Sequence, residues 1–361
     1  MLIIGLLPAG CAQMPKHTDA VFYPAPPESP RIQFLTSIST ETDIGVKKST
    51  FREYLIGQEI PTNEIGRPWD IDHEPGKLYV VDKEYRKVLI LNIENPDFNF
   101  IKDEKGGAIA DPAGMFIASD GYKYITDSTR GQVLVYNDRN EFHRAYGAEN
   151  QFKPLDVAVT GNRVYVCDLK DQEIEILDRE SGNVIQKIGK HGQAEGTFHW
   201  PTHVALDDKG NIYVTDFLNS RVQKFSSDGK FVSVIGGIGD HPGGMPRPKG
   251  IALDRENHLY VVDVAFEMVQ VFDTGTGTVL LPFGKTDITR RGGSLLPAGI
   301  HIDYDNVKYF SKYVDPDFKA KYLIYIGNQA GPHKINVYAF GEWVGPKLVA
   351  PKSAPAKAAV Q

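Results

Sequence analysis

The sequence predicts an all-β chain, a six-bladed β-propeller of four-stranded antiparallel blades, and three observations predict it. A proline followed three residues later by an aliphatic residue or Met recurs six times, as Pro68/Ile71, Pro112/Met115, Pro154/Val157, Pro201/Val204, Pro248/Ile251 and Pro297/Ile300. A Tyr-x-x-Asp signature, Tyr-x-x-Asn in its last copy, is interleaved with these at Tyr79, Tyr124, Tyr165, Tyr213, Tyr260 and Tyr325. Apolar residues between the signatures alternate with period two, where a helical repeat would alternate with period 3.6. The proline spacing of 42 to 49 residues is the length of one four-stranded blade.

Each element has a local reason. The proline opens the first strand, where its missing N–H costs nothing. In the fourth unit Val204 and Leu206 alternate after Pro201, and "DDKGN" turns the chain into the Tyr213 strand. A loop follows Asp216, then a third strand "RVQKF", then a Ser-Asp-Gly-Lys turn whose glycine accepts positive φ. The strand "FVSVIGG" closes the unit. The six Asp or Asn residues of the second signature brace the loops that follow them, and Arg86, Arg130 and Arg221 read as structural in the same way.

Composition bounds the rest. The chain has 361 residues, 41% hydrophobic and 24% charged, with 35 glycines and 23 prolines that suit many short strands and turns. A net charge of −6 argues against nucleic acid as a partner, because phosphate binding needs a basic face. No stretch approaches the roughly 20 apolar residues of a membrane-spanning helix. Cys-x-x-Cys-His, Gly-x-Ser-x-Gly and phosphate-cradling glycine loops are absent from the sequence.

The two cysteines are Cys11 and Cys167. Cys11 ends "MLIIGLLPAGC", which resembles a bacterial lipoprotein signal, with Pro8 where Leu is usual. On that resemblance residues 1–11 are a signal ending at the lipidated Cys11, and Cys167 stays unpaired. Several acyl chains on one cysteine give a stable lipid anchor. Ala12 after the cysteine leans towards the outer membrane.

Ring closure supplies a further expectation. After "INVYAF" at 335–340 no fourth strand remains for blade six, but "RIQFLTSIS" at 31–39 alternates correctly to supply it. The propeller then spans 31–345, with 31–39 as closing strand. Residues 12–30, containing "YPAPPESP", read as a Pro-rich tether, and 346–361 as a disordered tail.

Chemistry in a propeller concentrates where the first strands ring the central channel. The residue two after each opening proline is Asp70, Gly114, Asp156, His203, Gly250 and Gly299. Asp70, Asp156 and His203 are competent to hold one divalent cation, calcium through the carboxylates or zinc through the imidazole. The alternative is that the two carboxylates accept backbone N–H groups at strand starts with His203 packed beside them. His199 and His203 flank Trp200–Pro201 in an extended segment and are too far apart to share a metal. His241 stands where it could meet His199 across blades, and solvated loop histidines are the plainer reading. Trp69, Tyr85, Trp200, Phe217 and Phe266 either make an aromatic partner surface or pack between blades.

The segment "GNIYVTDFLNSRVQKFSSDGKF" resembles the NHL repeat, a family of β-propeller blades, and the resemblance covers residues 65 to 345. It is strongest in the fourth blade, and weakest in the sixth, where "YFSKYVDPDFKA" interrupts. Together with "PPESPRIQFLTSIS", "HWPTHVALD", "RPKGIALD" and "LPAGIHID", the layout resembles bacterial lipoproteins with six NHL-type blades. That resemblance implies a non-enzymatic, lipid-anchored extracytoplasmic scaffold with a protein partner, such as a redox assembly containing multihaem cytochromes. The other implication is a metal-dependent enzyme at the channel mouth, a lyase or lactonase-like hydrolase. NHL-like propellers include a zinc lyase acting on peptidyl-hydroxyglycines through three channel histidines, and only one of the six matching positions here is His.

Overall fold

A computed structural model describes residues 20–47, 62–102, 106–286 and 291–348. Cys11, the signal-like segment, residues 12–19 and the tail from 349 lie outside the described residues. The chain is a six-bladed propeller. Five blades are four-stranded antiparallel sheets in sequential order, and the sixth sheet joins the two ends of the chain. The inner strands are Pro68–Glu74, Pro112–Ile117, Pro154–Thr160, Pro201–Leu206, Pro248–Leu253 and Pro297–Asp303. Each packs on the next, and the last packs on the first, so the ring is closed.

The register of every inner strand slips immediately after its opening proline, for example between Pro68 and Asp70 and between Pro248 and Ile251. Such an irregularity re-aims the side chains beside it. It skips Trp69 and Leu155 in blades one and three and both residues after the proline in the other four, beside or at the positions that the sequence marks as channel residues. Convergence there is tight. A Cβ on Gly250 would lie 2.4 Å from the Ala298 carbonyl oxygen, and one on Gly299 would lie 2.6 Å from that of Trp69.

The Tyr-x-x-Asp pairs brace the blades from both ends. The six tyrosines are buried. Their hydroxyls reach polar groups where the partner is specific: Tyr79 donates to Glu74, Tyr213 to Asp207 and Tyr325 to Asp303. The aspartates tie two loops at once. Asp82 accepts from Gly66 N and Arg67 N of the entry loop, and from Glu84 N and Tyr85 N of its own loop. Asp127 repeats this with Ala110, Asp111, Thr129 and Arg130. Arg221 pairs with Asp216 at 2.9 Å and caps the Ala194 and Thr197 carbonyls, a structural role.

The closing strand is Ile32–Ile38, paired antiparallel with Ile335–Trp343 from Ile32↔Phe340 to Ile38↔Ile335. Ile32, Phe34, Leu35 and Ile38 are buried in two separate clusters, one on each side of the blade. The tether expected over 12–30 needs correction over its described part. Val21–Tyr23 forms a fifth strand outside the closing strand, with Val21 opposite Phe34 and Tyr23 opposite Ile32. Phe22 drives this by burying its ring against Trp343 and Phe318, at 5.4 and 6.1 Å between centroids. The prolines that suggested a tether instead build the turn between these two strands. The blade-six insertion contributes a helical turn, Val307–Phe310, before the long strand Phe318–Asn328 that carries Tyr325.

Candidate functional site

At the proline end of the channel, Asp70 and Asp156 act as clips between blades. Asp70 Oδ1 accepts from Ile71 N at 2.9 Å, and its Oδ2 accepts from Met115 N of the next blade at 2.8 Å. Asp156 does the same with Val157 N at 2.8 Å and Val204 N at 2.9 Å. Burial drives both carboxyls well above the usual range, and the Asp70 charge raises Asp156 further. His203 is 6% exposed and its Nδ1 has no hydrogen-bond partner among the described residues. Desolvation, with a smaller effect from the Lys249 charge, lowers its pKa to about 3. The residues present do not fit a metal here. These three side chains are not among the groups whose donor atoms converge within 4.8 Å, so no single ion reaches all three.

The same end holds a cation that the sequence reading missed. Lys249 is 9% exposed and places its Nζ 3.5 Å from the centre of the Trp69 ring, reaching from the fifth blade to the first. Among the described residues no carboxylate pairs with it. Burial, and then the charges of Lys83 and Arg67, pull its pKa down to about 7. Lys83 itself lies 5.6 Å from the Trp69 ring and is paired with Asp111 at 2.8 Å. Thr202, beside His203, is also buried with an unpartnered Oγ1. A desolvated ammonium on an aromatic face, beside unpartnered polar atoms, suits an incoming anionic group.

The aromatic residues divide. Trp69 is half-buried under Lys249. Trp200 and Tyr85 are exposed, and the Tyr85 hydroxyl turns to Glu64 at 3.3 Å. Phe217 and Phe266 are half-buried, with the Arg247 guanidinium 5.7 Å from the Phe217 ring. His199 meets His191, with centroids 5.3 Å apart, while His241 turns onto the Pro242 carbonyl.

Metal-competent clusters do exist elsewhere. Among the described residues three groups bring three donor atoms within 4.8 Å of one another: Asp72–His73–His301, His73–Asp303–Asp305 and Asp168–Asp171–Glu175. In the last, Glu175 is already held by Lys187 at 2.8 Å. The first two share His73 and sit at the far ends of the first and sixth inner strands, opposite the Lys249 end. A signal was present in the sequence. Four residues after each proline stand Asp72, Phe116, Ala158, Ala205, Ala252 and His301, and five residues after it stand His73, Ile117, Val159, Leu206, Leu253 and Ile302. Only blades one and six break these apolar columns.

Comparisons with known proteins agree on the fold. The family model DUF5128, described as a 6-bladed beta-propeller, matches residues 207–338. A probable peptidyl-alpha-hydroxyglycine alpha-amidating lyase, pgal-1 of Caenorhabditis elegans, is 28% identical over 190 residues, 50% of this chain and 54% of that protein. The chain thus spans about half the length of this curated relative. The solved auxiliary nutrient binding protein from Bacteroides ovatus is similar with a TM-score of 0.57 at 14% identity, covering 76% of this chain and 69% of that one. Virginiamycin B lyase from Staphylococcus aureus is similar with a TM-score of 0.52 at 13% identity, covering 76% and 96%. Likeness at these identities shows the propeller architecture.

Proposed function

We propose that the chain is a lipid-anchored, extracytoplasmic binding scaffold that receives an anionic group of its partner at the Lys249 end of the channel. The observation that carries this reading is the Lys249 ammonium, more than nine-tenths buried, stacked on Trp69 and without a carboxylate among the described residues. Burying an unpaired charge costs desolvation energy, and a carboxylate that enters and pairs with it offsets part of that cost. Trp69, half-buried beneath Lys249, offers an aromatic face of the kind that partner anchors use. The lipid anchor rests on the Ala9-Gly10-Cys11 pattern.

The test uses membranes bearing the full-length chain and short peptides ending in a free carboxylate or its amide. Expected is binding of the carboxylate form that falls at least tenfold on amidation or on Lys249→Met. A tenfold change is about 1.4 kcal/mol, and hydrogen bonds to charged groups are worth about 1.5–3. Cys11→Ser should move the binding activity to the soluble fraction. Equal affinity for acid and amide, or for wild type and Lys249→Met, would contradict the reading.

A further inference from the structure

We propose that Asp72, His73 and His301 form a zinc-binding site with one open coordination position, at the end of the channel opposite Lys249. The donor atoms are Asp72 Oδ1, His73 Nδ1 and His301 Nε2. Their separations are 2.6 Å between the two imidazole nitrogens, 3.4 Å from His301 to Asp72 and 3.8 Å from His73 to Asp72. A triangle with those sides has a point about 2 Å from every corner, which is the length of Zn–N and Zn–O bonds. A metal can reach all three atoms once the two imidazole nitrogens, 2.6 Å apart, part to the roughly 3.3 Å that tetrahedral zinc requires.

The second shell supports the same atoms. A ligating imidazole characteristically donates its other N–H to a carboxylate, which fixes its tautomer. The second nitrogen of His73, Nε2, lies 3.1 Å from Asp303 Oδ1 and 3.3 Å from Asp305 Oδ2. With the proton held there, the Nδ1 lone pair faces the site. Asp303 is fully buried and rigidly held, accepting from Asp305 N, Asn306 N, Asn306 Nδ2 and the Tyr325 hydroxyl. Asp72 is held likewise by His73 N and by Ile117 N of the next blade, both at 2.7 Å. The ligand set is thus oriented before any ion arrives. Without metal, His301 Nε2–H donates to His73 Nδ1, and an ion would replace that proton.

Two imidazoles and one carboxylate select zinc over calcium, which takes six to eight oxygens. The side chains of His73 and His301 are 16% and 21% exposed, so the cluster is not sealed from solvent. That is the composition of an open zinc site rather than a closed structural one. The site also joins the first and last blades, residues 228 apart in sequence, at the seam where the ring closes.

The test is zinc titration of the full-length chain, with zinc chloride and calcium chloride as probes. Expected is one zinc per chain, a thermal midpoint raised by several degrees, and no effect of calcium. His301→Ala should weaken zinc at least tenfold and abolish the thermal shift. Asp72→Asn is the second variant, and it retains an oxygen towards Ile117 N should the first fail to fold. Asp171→Asn, in the remaining acidic group, should change nothing. Absence of stoichiometric zinc, zinc retained undiminished by both variants, or preference for calcium would each overturn the proposal. The outcome is independent of peptide binding at Lys249.

Discussion

Removing residues 21–38 is expected to abolish the stable fold. The closing strand buries Ile32, Phe34, Leu35 and Ile38 between blade six and its neighbours. Truncating one buried aliphatic or aromatic side chain costs about 2–5 kcal/mol. Four such losses reach about 8 kcal/mol or more, comparable with the 5–15 kcal/mol that stabilise an ordinary domain. The deletion also strips Ile335–Trp343 of its partner and leaves an open sheet edge, which promotes aggregation. Circular dichroism on heating and size exclusion check this. The expected product is aggregated or melts without a cooperative transition. A sigmoidal transition within about 5 °C of the full chain, a shift worth only a kcal/mol or two, would show that the ring closes without these strands. Deleting Val21–Tyr23 alone should be milder, because it removes the outermost strand and one buried ring, Phe22.

His203 should make the protein acid-sensitive. Its folded pKa, about 3, lies below the ordinary 6.5 because the site is desolvated. The unfolded chain therefore binds a proton between those values that the folded chain refuses, so stability is lost as pH falls through 6.5. At pH 5 this amounts to about 2 kcal/mol, at 1.36 kcal/mol per pH unit. Asp70 and Asp156 act with the opposite sign, since their raised values withdraw stability as pH rises. They are common to wild type and His203→Gln, so the comparison isolates the histidine. Urea unfolding at pH 7 and pH 5 should show wild type losing about 2 kcal/mol more than the variant. Parallel losses in the two proteins would mean that His203 is not held neutral.

The fold was legible because its signals are local and repeated. Proline at a strand start, Tyr facing the core and Asp tying two loops each answer a need that recurs in every blade, so six copies reinforce one another. The closing strand was legible for a related reason: the last blade lacked one strand and residues 31–39 alternate. Phe22 was hidden because a three-residue strand among prolines has no visible period. The sites were hidden by being exceptions to the repeat. Lys249 follows Pro248 as an ordinary polar residue, and nothing local says that it crosses the channel to Trp69. Asp70 and Asp156 looked like ligands because carboxylates in a channel column suggest a metal. In the structure their donor atoms do not converge with His203, and each carboxylate clips two blades together, through Met115 N or Val204 N. His73 and His301 are visible only when the columns at the far strand ends are compared blade by blade.

The most direct test of the central claim is the ionisation of Lys249, read as the pH dependence of its acylation by a small anhydride in the full-length chain. Expected is a midpoint near the value of about 7 set by its burial and by Lys83 and Arg67, and an upward shift when a carboxylate peptide binds. A midpoint near 10.4, the ordinary value for lysine, unmoved by the peptide, would mean that Lys249 is solvated or already paired, and would contradict the claim.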